Sequence, residues 1–372
     1  MSTDQALSGG RRDFLKTVAV GSAASLAAGN PLESAPLPSR RLRIGAMCVG
    51  EYSFMSYCWS DIIEPDREAN NPKLGTFGTP FLNMDITHVW DVNAESARKF
   101  ADRMGATVVK NYDDMVGKVD GVIIGGFYEV PWQHKLARPY VEASIPTYLS
   151  RPFAYSLRDI DEILECAAKH NTPILATAKY EHYSEAPALK SKLKSIGRIN
   201  CVHATCNTRD YPVHFHLQFM ILKIFGYDVR QVSVITDDDM RDNYLQETYV
   251  FNGWENQPPF VCAMQGASNQ DSFTITVVGT EATISASMLR SPYWQDSLLF
   301  RYAPHIIEMQ RTFEGKLYEP LDNIRKKTAI FLAGYRSYLE RGGAPVDVAT
   351  LPVDWRARPV KPDWIDESMF KR

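Results

Sequence analysis

The chain has 372 residues, of which 45% are hydrophobic and 23% are charged, and its formal net charge is -3. This composition is typical of a globular protein with more than one core, and the lack of a basic excess argues against nucleic acid as a partner. The six cysteines show no paired C-x-x-C spacing, so we expect most of them to be buried as small hydrophobic side chains.

The first 40 residues predict an export signal. Arg11-Arg12-Asp13-Phe14-Leu15-Lys16 is a twin-arginine motif, and a small, apolar run over 17–29 follows it. The run has about 13 residues, fewer than the roughly 20 that a stable membrane anchor needs, and no later segment is apolar enough to cross a membrane. An ordinary N-terminal helix is the alternative, but small residues on every face do not fit an amphipathic surface helix. We therefore expect the twin-arginine export machinery to deliver the folded chain to the periplasm.

Residues 41–180 show alternating strands and helices. Strands are predicted at 42–49, 84–91, 108–109, 119–125, 146–149 and 173–178. Helices are predicted at 94–104, 131–143 and 157–170, with a short one beginning at 112, whereas 54–83 is interpreted as an insertion. This order predicts a Rossmann-type, doubly wound parallel sheet, whose ligand binds at the carboxyl ends of the strands.

Residues 181–343 follow a different pattern. Strands are predicted at 199–207, 229–236, 247–251, 260–266, 272–278 and 282–287, and helices at 215–225 and 321–341. We expect an α+β domain with a large, mainly antiparallel open sheet, which serves substrate binding and oligomerisation. The Pro- and Trp-containing end, 344–372, is predicted to be an extended arm.

Two features point to a nucleotide. The loop Cys48-Val49-Gly50-Glu51-Tyr52-Ser53 keeps only the middle glycine of the G-x-G-x-x-G fingerprint, so by itself it is a weak indication. Asp91 ends the second predicted strand, where an acid can accept both ribose hydroxyls of NAD and repel the extra phosphate of NADP. The alternative for Asp91 is a helix cap before Asn93-Ala94-Glu95, and the sequence leaves both possibilities open.

The order of several motifs resembles the glucose-fructose oxidoreductase, inositol dehydrogenase and rhizopine catabolism family (Gfo/Idh/MocA). These motifs are Asp91, the strand 119–124 with His134 downstream, Ser150-Arg151-Pro152, Ala178-Lys179-Tyr180, and Gly279-Thr280-Glu281-Ala282 with the late helix. The resemblance covers about 41–352. It implies NAD or NADP as the cofactor, a carbohydrate substrate and a homo-oligomer, with Gly50, Asp91, Gly125 and His134 as cofactor-binding residues.

This chain departs from the family at two motifs. Ser150-Arg151-Pro152 stands where the family usually has Glu-Lys-Pro, and an aspartate four residues before its histidine is replaced by Pro212, while the histidine is kept as His216. Arg151 stays charged, so it can orient a substrate or stabilise an oxyanion but cannot shuttle a proton. The resemblance makes His216 the general base.

Five other polar residues are candidates for contacts in the substrate site. His214 could share the site, Asp210 could orient His216, and Lys179, Tyr180 and His182 could bind substrate hydroxyls. The alternative for the last three is a polar domain junction. His214, His216 and Asp210 could in principle hold a metal ion, but we expect none, because the spacing of these residues does not give three firm ligands.

The resemblance implies an exported oxidoreductase that transfers a hydride between a nicotinamide cofactor and a sugar, cyclitol or glycoside. Two alternatives remain open because parts of both motifs are lost. One is a glycoside hydrolase or lyase on the same scaffold without net redox chemistry. The other is a non-catalytic binding protein with a degenerate cleft, which nucleotide binding would distinguish from both enzymes.

Overall fold

The computed structural model describes residues 41–50, 53, 55, 83–126, 130–183, 185–206, 211–236, 245–266, 272–289, 294–357 and 367–370. Most of the predicted insertion at 54–83 and all of the predicted signal lie outside the described residues. The domain boundaries predicted from the sequence stay predictions.

Six strands form a parallel sheet in the order β3-β2-β1-β4-β5-β6. They are β1 (Leu42–Met47), β2 (Met84–Trp90), β3 (Thr107–Val108), β4 (Gly121–Ile124), β5 (Thr147–Leu149) and β6 (Ile174–Leu175). All residues of β4 and β5 are buried, as expected for strands covered on both faces. The predicted Rossmann-type sheet is confirmed.

Three helices of this half have the predicted positions: α1 (Ala94–Met104), α2 (Gln133–Glu142) and α3 (Leu157–His170). Side chains cap the first and third, since Asn93 accepts from the backbone of Glu95 and Ser96, and Ser156 accepts from Asp159. The predicted short helix from 112 is wrong, because 112–118 forms turns.

Seven strands form the second sheet, in the order β12-β11-β7-β10-β9-β8-β13. They are β7 (Ile199–Cys206), β8 (Val229–Thr236), β9 (Leu245–Phe251), β10 (Phe260–Gly266), β11 (Ser272–Gly279), β12 (Thr283–Leu289) and β13 (Val346–Asp347). Burial alternates along β9 and β10, which is typical of a sheet covered on one face. Only the β7–β10 pair is parallel among the described pairs, so the mainly antiparallel prediction is confirmed.

Four further helices follow β6 in the chain: α4 (Glu185–Lys192), α5 (Tyr211–Phe225), α6 (Trp294–Phe313) and α7 (Leu321–Arg341). The sequence patterns did not predict α4 or α6. Helix α6 lies on the first sheet, where a Cβ atom on Gly121 would be 2.6 Å from Cδ1 of Phe313. Gly121 therefore makes room for α6 on this face. In the part of the chain that the structure describes, no helix has the length and apolar character to cross a membrane.

Candidate active site

Asp91 holds together the carboxyl ends of β1 and β2. Its Oδ2 atom accepts from the backbone N–H of Gly50 at 2.9 Å, and its Oδ1 atom accepts from that of Asn93 at 2.7 Å. The helix-cap alternative for Asp91 is wrong, because Asn93 caps α1. Burial raises the pKa of Asp91, while the backbone N–H groups act in the opposite direction. The backbone of Val49 also bonds to this carboxylate, so about one of its roughly four lone-pair sites is left for a further donor.

A cavity of about 490 Å³ opens beside Asp91. Its size falls within the range of small-molecule and cofactor sites, which is about 300–1,000 Å³. The rings of Trp90 and Tyr112 meet edge to face with their centroids 6.1 Å apart. The residues that line the cavity include Trp90, Asp91, Val109, Lys110, Tyr112 and Met369. The lining is therefore largely apolar, with one carboxylate and one ammonium group.

Gly125 lies at the end of β4, next to the loop that follows β1. Its N–H donates to the carbonyl of Met47 at 2.9 Å, and a Cβ atom here would be 2.3 Å from Cγ of Met55. The strands that follow β1 in the chain lie on one side of it, and the strands that follow β4 lie on the other side. The crevice between β1 and β4 is therefore the topological switch point of the sheet. The structure thus brings Gly50, Asp91 and Gly125 to the edge where such sheets bind ligands.

His134 is placed elsewhere, between α2 and α3. Its Nε2 atom is 3.9 Å from Oδ1 of Asp159 and 4.0 Å from Oε2 of Glu162. Asp159 also accepts from the guanidinium of Arg356 at 2.7 Å. Burial lowers the pKa of His134. These contacts tie two helices to the C-terminal segment, and a role of His134 in cofactor binding stays a prediction.

Arg151 begins a second group of predicted residues, at the carboxyl end of β5. Its peptide bond to Pro152 is cis, and its Nη1 atom donates to Oγ of Ser150 at 3.1 Å. The guanidinium carbon lies 5.1 Å from the centroid of the Phe215 ring on α5. Arg151 therefore projects from the first sheet toward the helix that carries His216.

His216 is buried on α5, with 7% of its surface exposed. Its ring is 4.3 Å from the ring of Phe215 and meets the ring of Tyr180 edge to face at 4.5 Å. Tyr180 belongs to the 3₁₀ helix Lys179–His182, which follows β6. Arg151 thus contacts Phe215, and Tyr180 contacts His216, the next residue of α5. The catalytic and substrate-binding roles of these residues stay predictions.

Three predicted substrate contacts remain open. Asp210 lies outside the described residues, and the side chains of Lys179 and His214 are not described. Their proposed roles stay predictions.

His182 is separated from this group. Its side chain is 2% exposed, its ring stacks on His305 at 4.7 Å, and its Nδ1 atom is 3.2 Å from Oε2 of Glu308. Burial would raise the pKa of Glu308, but the hydrogen bond and charge of His182 lower it. His182 lines another cavity, of about 290 Å³, with Lys190 and Lys223. These contacts fit the alternative of a polar junction.

A buried ion cluster beneath the site was missed. Lys327 of α7 is fully buried, and its Nζ atom is 2.6 Å from Oε1 of Glu319 and 3.5 Å from Oε2 of Glu181. Burial would lower the pKa of Lys327, but the two carboxylates outweigh it and raise this pKa. For the carboxyl group of Glu319 burial has the opposite effect, and it raises the pKa of this group.

The ion cluster fixes the chain between β6 and Tyr180. Glu319 accepts from the N–H of Ala176 at 2.9 Å, Lys327 donates to the carbonyl of Ala176, and Glu181 accepts from the N–H of Ala178 at 2.7 Å. The signal that could have revealed it is a lysine on the apolar face of α7, three residues after Ile324. Such a lysine needs buried carboxylates.

Comparison with known proteins identifies a nucleotide-binding family in the part of the chain that contains Asp91. Residues 68–177 match the family described as "Oxidoreductase family, NAD-binding Rossmann fold" (GFO_IDH_MocA). No curated protein sequence matches this chain significantly.

Solved structures resemble the whole fold. The scyllo-inositol dehydrogenase of Lactobacillus casei, solved with NAD(H) and scyllo-inositol, is 12% identical with a TM-score of 0.65, over 84% of this chain and 100% of that one. An Agrobacterium radiobacter oxidoreductase solved with NAD+, L-tartaric acid and magnesium is 14% identical with a TM-score of 0.63, over 84% and 100%. A probable dehydrogenase of Thermotoga maritima gives the same four values. The chain therefore has the fold of these proteins, and its residues 68–177 match the NAD-binding Rossmann domain of the Gfo/Idh/MocA oxidoreductases.

Proposed function

We propose that the protein is an exported, nicotinamide-nucleotide-dependent dehydrogenase that acts on a hydroxyl group of a sugar, cyclitol or glycoside. The observation that carries the proposal is the pairing of two groups along one sheet edge. Asp91 and its cavity lie at the ends of β1 and β2, whereas Arg151 and Tyr180 lie beyond β5 and β6, with His216 against Tyr180. Ligands of open parallel sheets bind at this edge.

The residues around Asp91 fit the adenosine end of a dinucleotide. Asp91 retains acceptor capacity for a ribose hydroxyl, and the apolar walls of the cavity suit a purine. Gly50 and Gly125 bound the crevice between β1 and β4. When bound, the nicotinamide supplies the hydride acceptor. NAD is favoured over NADP, since Asp91 would repel a 2′-phosphate.

The residues around His216 suit the substrate end. A neutral imidazole can take the proton of a hydroxyl group as the adjacent carbon is oxidised. The rings of Tyr180 and Phe215 both contact the His216 ring, and the burial of His216 limits its access to water. Arg151 remains positively charged, so it positions the substrate oxygen and stabilises negative charge developing on it. The solved inositol dehydrogenase of Lactobacillus casei supports a polyol as the substrate class.

Replacing Asp91 with asparagine should weaken NAD binding about tenfold to hundredfold, because a hydrogen bond to a charged group contributes about 1.5–3 kcal/mol. NADP binding should weaken less, since the change also removes a repulsive charge. Isothermal titration calorimetry measures both affinities. Asp85→Asn, at an exposed position of the same strand, is the matched control and should leave both unchanged. Equal affinities for Asp91→Asn and the unmodified protein would place the ribose elsewhere.

The activity itself is tested with NAD and NADP against a panel of inositols, aldoses and glycosides. We expect at least one of them to reduce the nucleotide, followed by the absorbance of reduced nicotinamide. Cleavage of a glycoside without net reduction would instead favour the hydrolase. If nucleotide binds and no member of the panel reacts, the proposed dehydrogenase is wrong.

Export and assembly are part of the proposal. The motif Arg11-Arg12 supports twin-arginine transport to the periplasm, and replacing both arginines with lysine should leave the protein in the cytoplasm. Alternating burial along β9 and β10 leaves one face of the second sheet accessible, and we propose this face as the contact surface of the homo-oligomer that the resemblance implies.

A further inference from the structure

We propose that the C-terminal turn Glu367–Phe370 forms the outer wall of the adenosine site, with Met369 as the contact residue. This inference rests on the proposed function, because it concerns the same nucleotide cavity. It assigns a role to the predicted C-terminal arm, which the dehydrogenase reaction by itself does not use.

The position of Met369 carries the inference. Met369 lines the 490 Å³ cavity, whereas the other lining residues belong to β2 and the loop after it, to α1, and to β3 and the segment after it. Its side chain is partly buried and packs against the hydrophobic core that includes Trp90. The C-terminal turn is therefore seated on the parallel sheet at the Asp91 end.

The volume of the cavity shows whether the C-terminal turn borders the nucleotide site or occupies it. With Met369 in place the cavity keeps about 490 Å³, which lies within the roughly 300–1,000 Å³ of small-molecule sites. A side chain that occupied the ligand position would leave less room than a ligand needs. Met369 thus acts as a wall that a nucleotide can contact, and the turn need not leave before the nucleotide binds.

The chemistry of the walls fits a purine. A methionine thioether is polarisable, adapts to irregular gaps and makes favourable contacts with aromatic rings. The rings of Trp90 and Tyr112, which meet edge to face, line the same cavity. A flat aromatic base that contacts these rings and Met369 loses water from its surface, while its ribose reaches Asp91. The contact should therefore serve the adenosine half of the cofactor and leave the nicotinamide half unaffected.

The test compares Met369→Ser with the unmodified full chain in binding NAD, AMP and nicotinamide mononucleotide by calorimetry. We expect Met369→Ser to raise the Kd for NAD and for AMP by about fivefold to tenfold, as loss of a partly buried apolar contact predicts. The Kd for nicotinamide mononucleotide should not change. Met369→Leu should keep most of the affinity. Val353→Ser, at an exposed apolar position of the same arm, should have no effect.

Three results would overturn the inference. The first is that Met369→Ser binds NAD and AMP as tightly as the unmodified chain does. The second is that this variant binds them more tightly, which would show that the turn competes with the nucleotide. The third is that the variant loses affinity for nicotinamide mononucleotide as much as for AMP. The proposed function fails separately, if the unmodified chain binds neither NAD nor NADP; AMP binding to the Asp91 cavity then still tests Met369. Absence of AMP binding as well would refute both.

Discussion

Replacing His216 with asparagine should lower kcat for polyol oxidation by a factor of about 10²–10⁴, the usual contribution of a positioned general base. Asparagine has a similar size and can donate a hydrogen bond, but it cannot accept the substrate proton at neutral pH. KM should change little, because the packing of Phe215 and Tyr180 around this position is kept. Steady-state kinetics with the polyol identified by the substrate panel gives both constants.

The matched control is His203→Asn on β7, whose side chain is exposed on the second sheet. It should retain the kcat of the unmodified enzyme. Full activity of the His216 variant would remove the catalytic assignment. A rise in KM with constant kcat would make His216 a substrate-binding residue instead.

Replacing Lys327 with methionine should destabilise the protein by about 3–5 kcal/mol, the typical cost of removing one partner from a buried ion pair. Methionine fills a similar volume, but Glu181 and Glu319 would remain buried without the ammonium group that lies 3.5 Å and 2.6 Å from them. Urea unfolding followed by circular dichroism measures the change.

The neighbouring residue on α7 provides the control. Lys326 pairs with Asp322 at an exposed site, so Lys326→Met should cost less than about 1 kcal/mol. The triple variant Lys327→Met, Glu181→Gln, Glu319→Gln should recover much of the loss, since it leaves no buried charge unpaired. Similar costs for Lys326→Met and Lys327→Met would show that the cluster does not contribute as inferred.

The elements that sequence patterns predicted best are those with strong local signals. Helices α1 and α3 have side-chain caps at Asn93 and Ser156, and β4 is a short run of buried apolar residues. Helix α6 was missed because Pro304 interrupts its pattern and its partner, the first sheet, lies far away in the chain. The parallel pairing of β7 with β10 could not be predicted, because a periodic pattern identifies a strand but not its neighbour.

The site was predictable where a residue's place in the topology determines its surroundings. Asp91 follows a parallel strand, so its position at the ligand-binding edge follows from the fold. His134 and His182 lie on helices, where the buried partner decides the role, and these partners are Asp159 and Glu308. The ion cluster of Lys327 joins distant segments, and no single motif contains it.

The most direct test of the central claim is a calorimetric titration of the full-length protein with NAD and with NADP. The account predicts saturable binding of NAD, with a Kd below about 1 mM and weaker binding of NADP. If the purified protein binds no added NAD but releases a nicotinamide nucleotide when it is denatured, its site was already occupied, and this result also supports the account. Absence of both bound nucleotide and NAD or NADP binding would contradict the account.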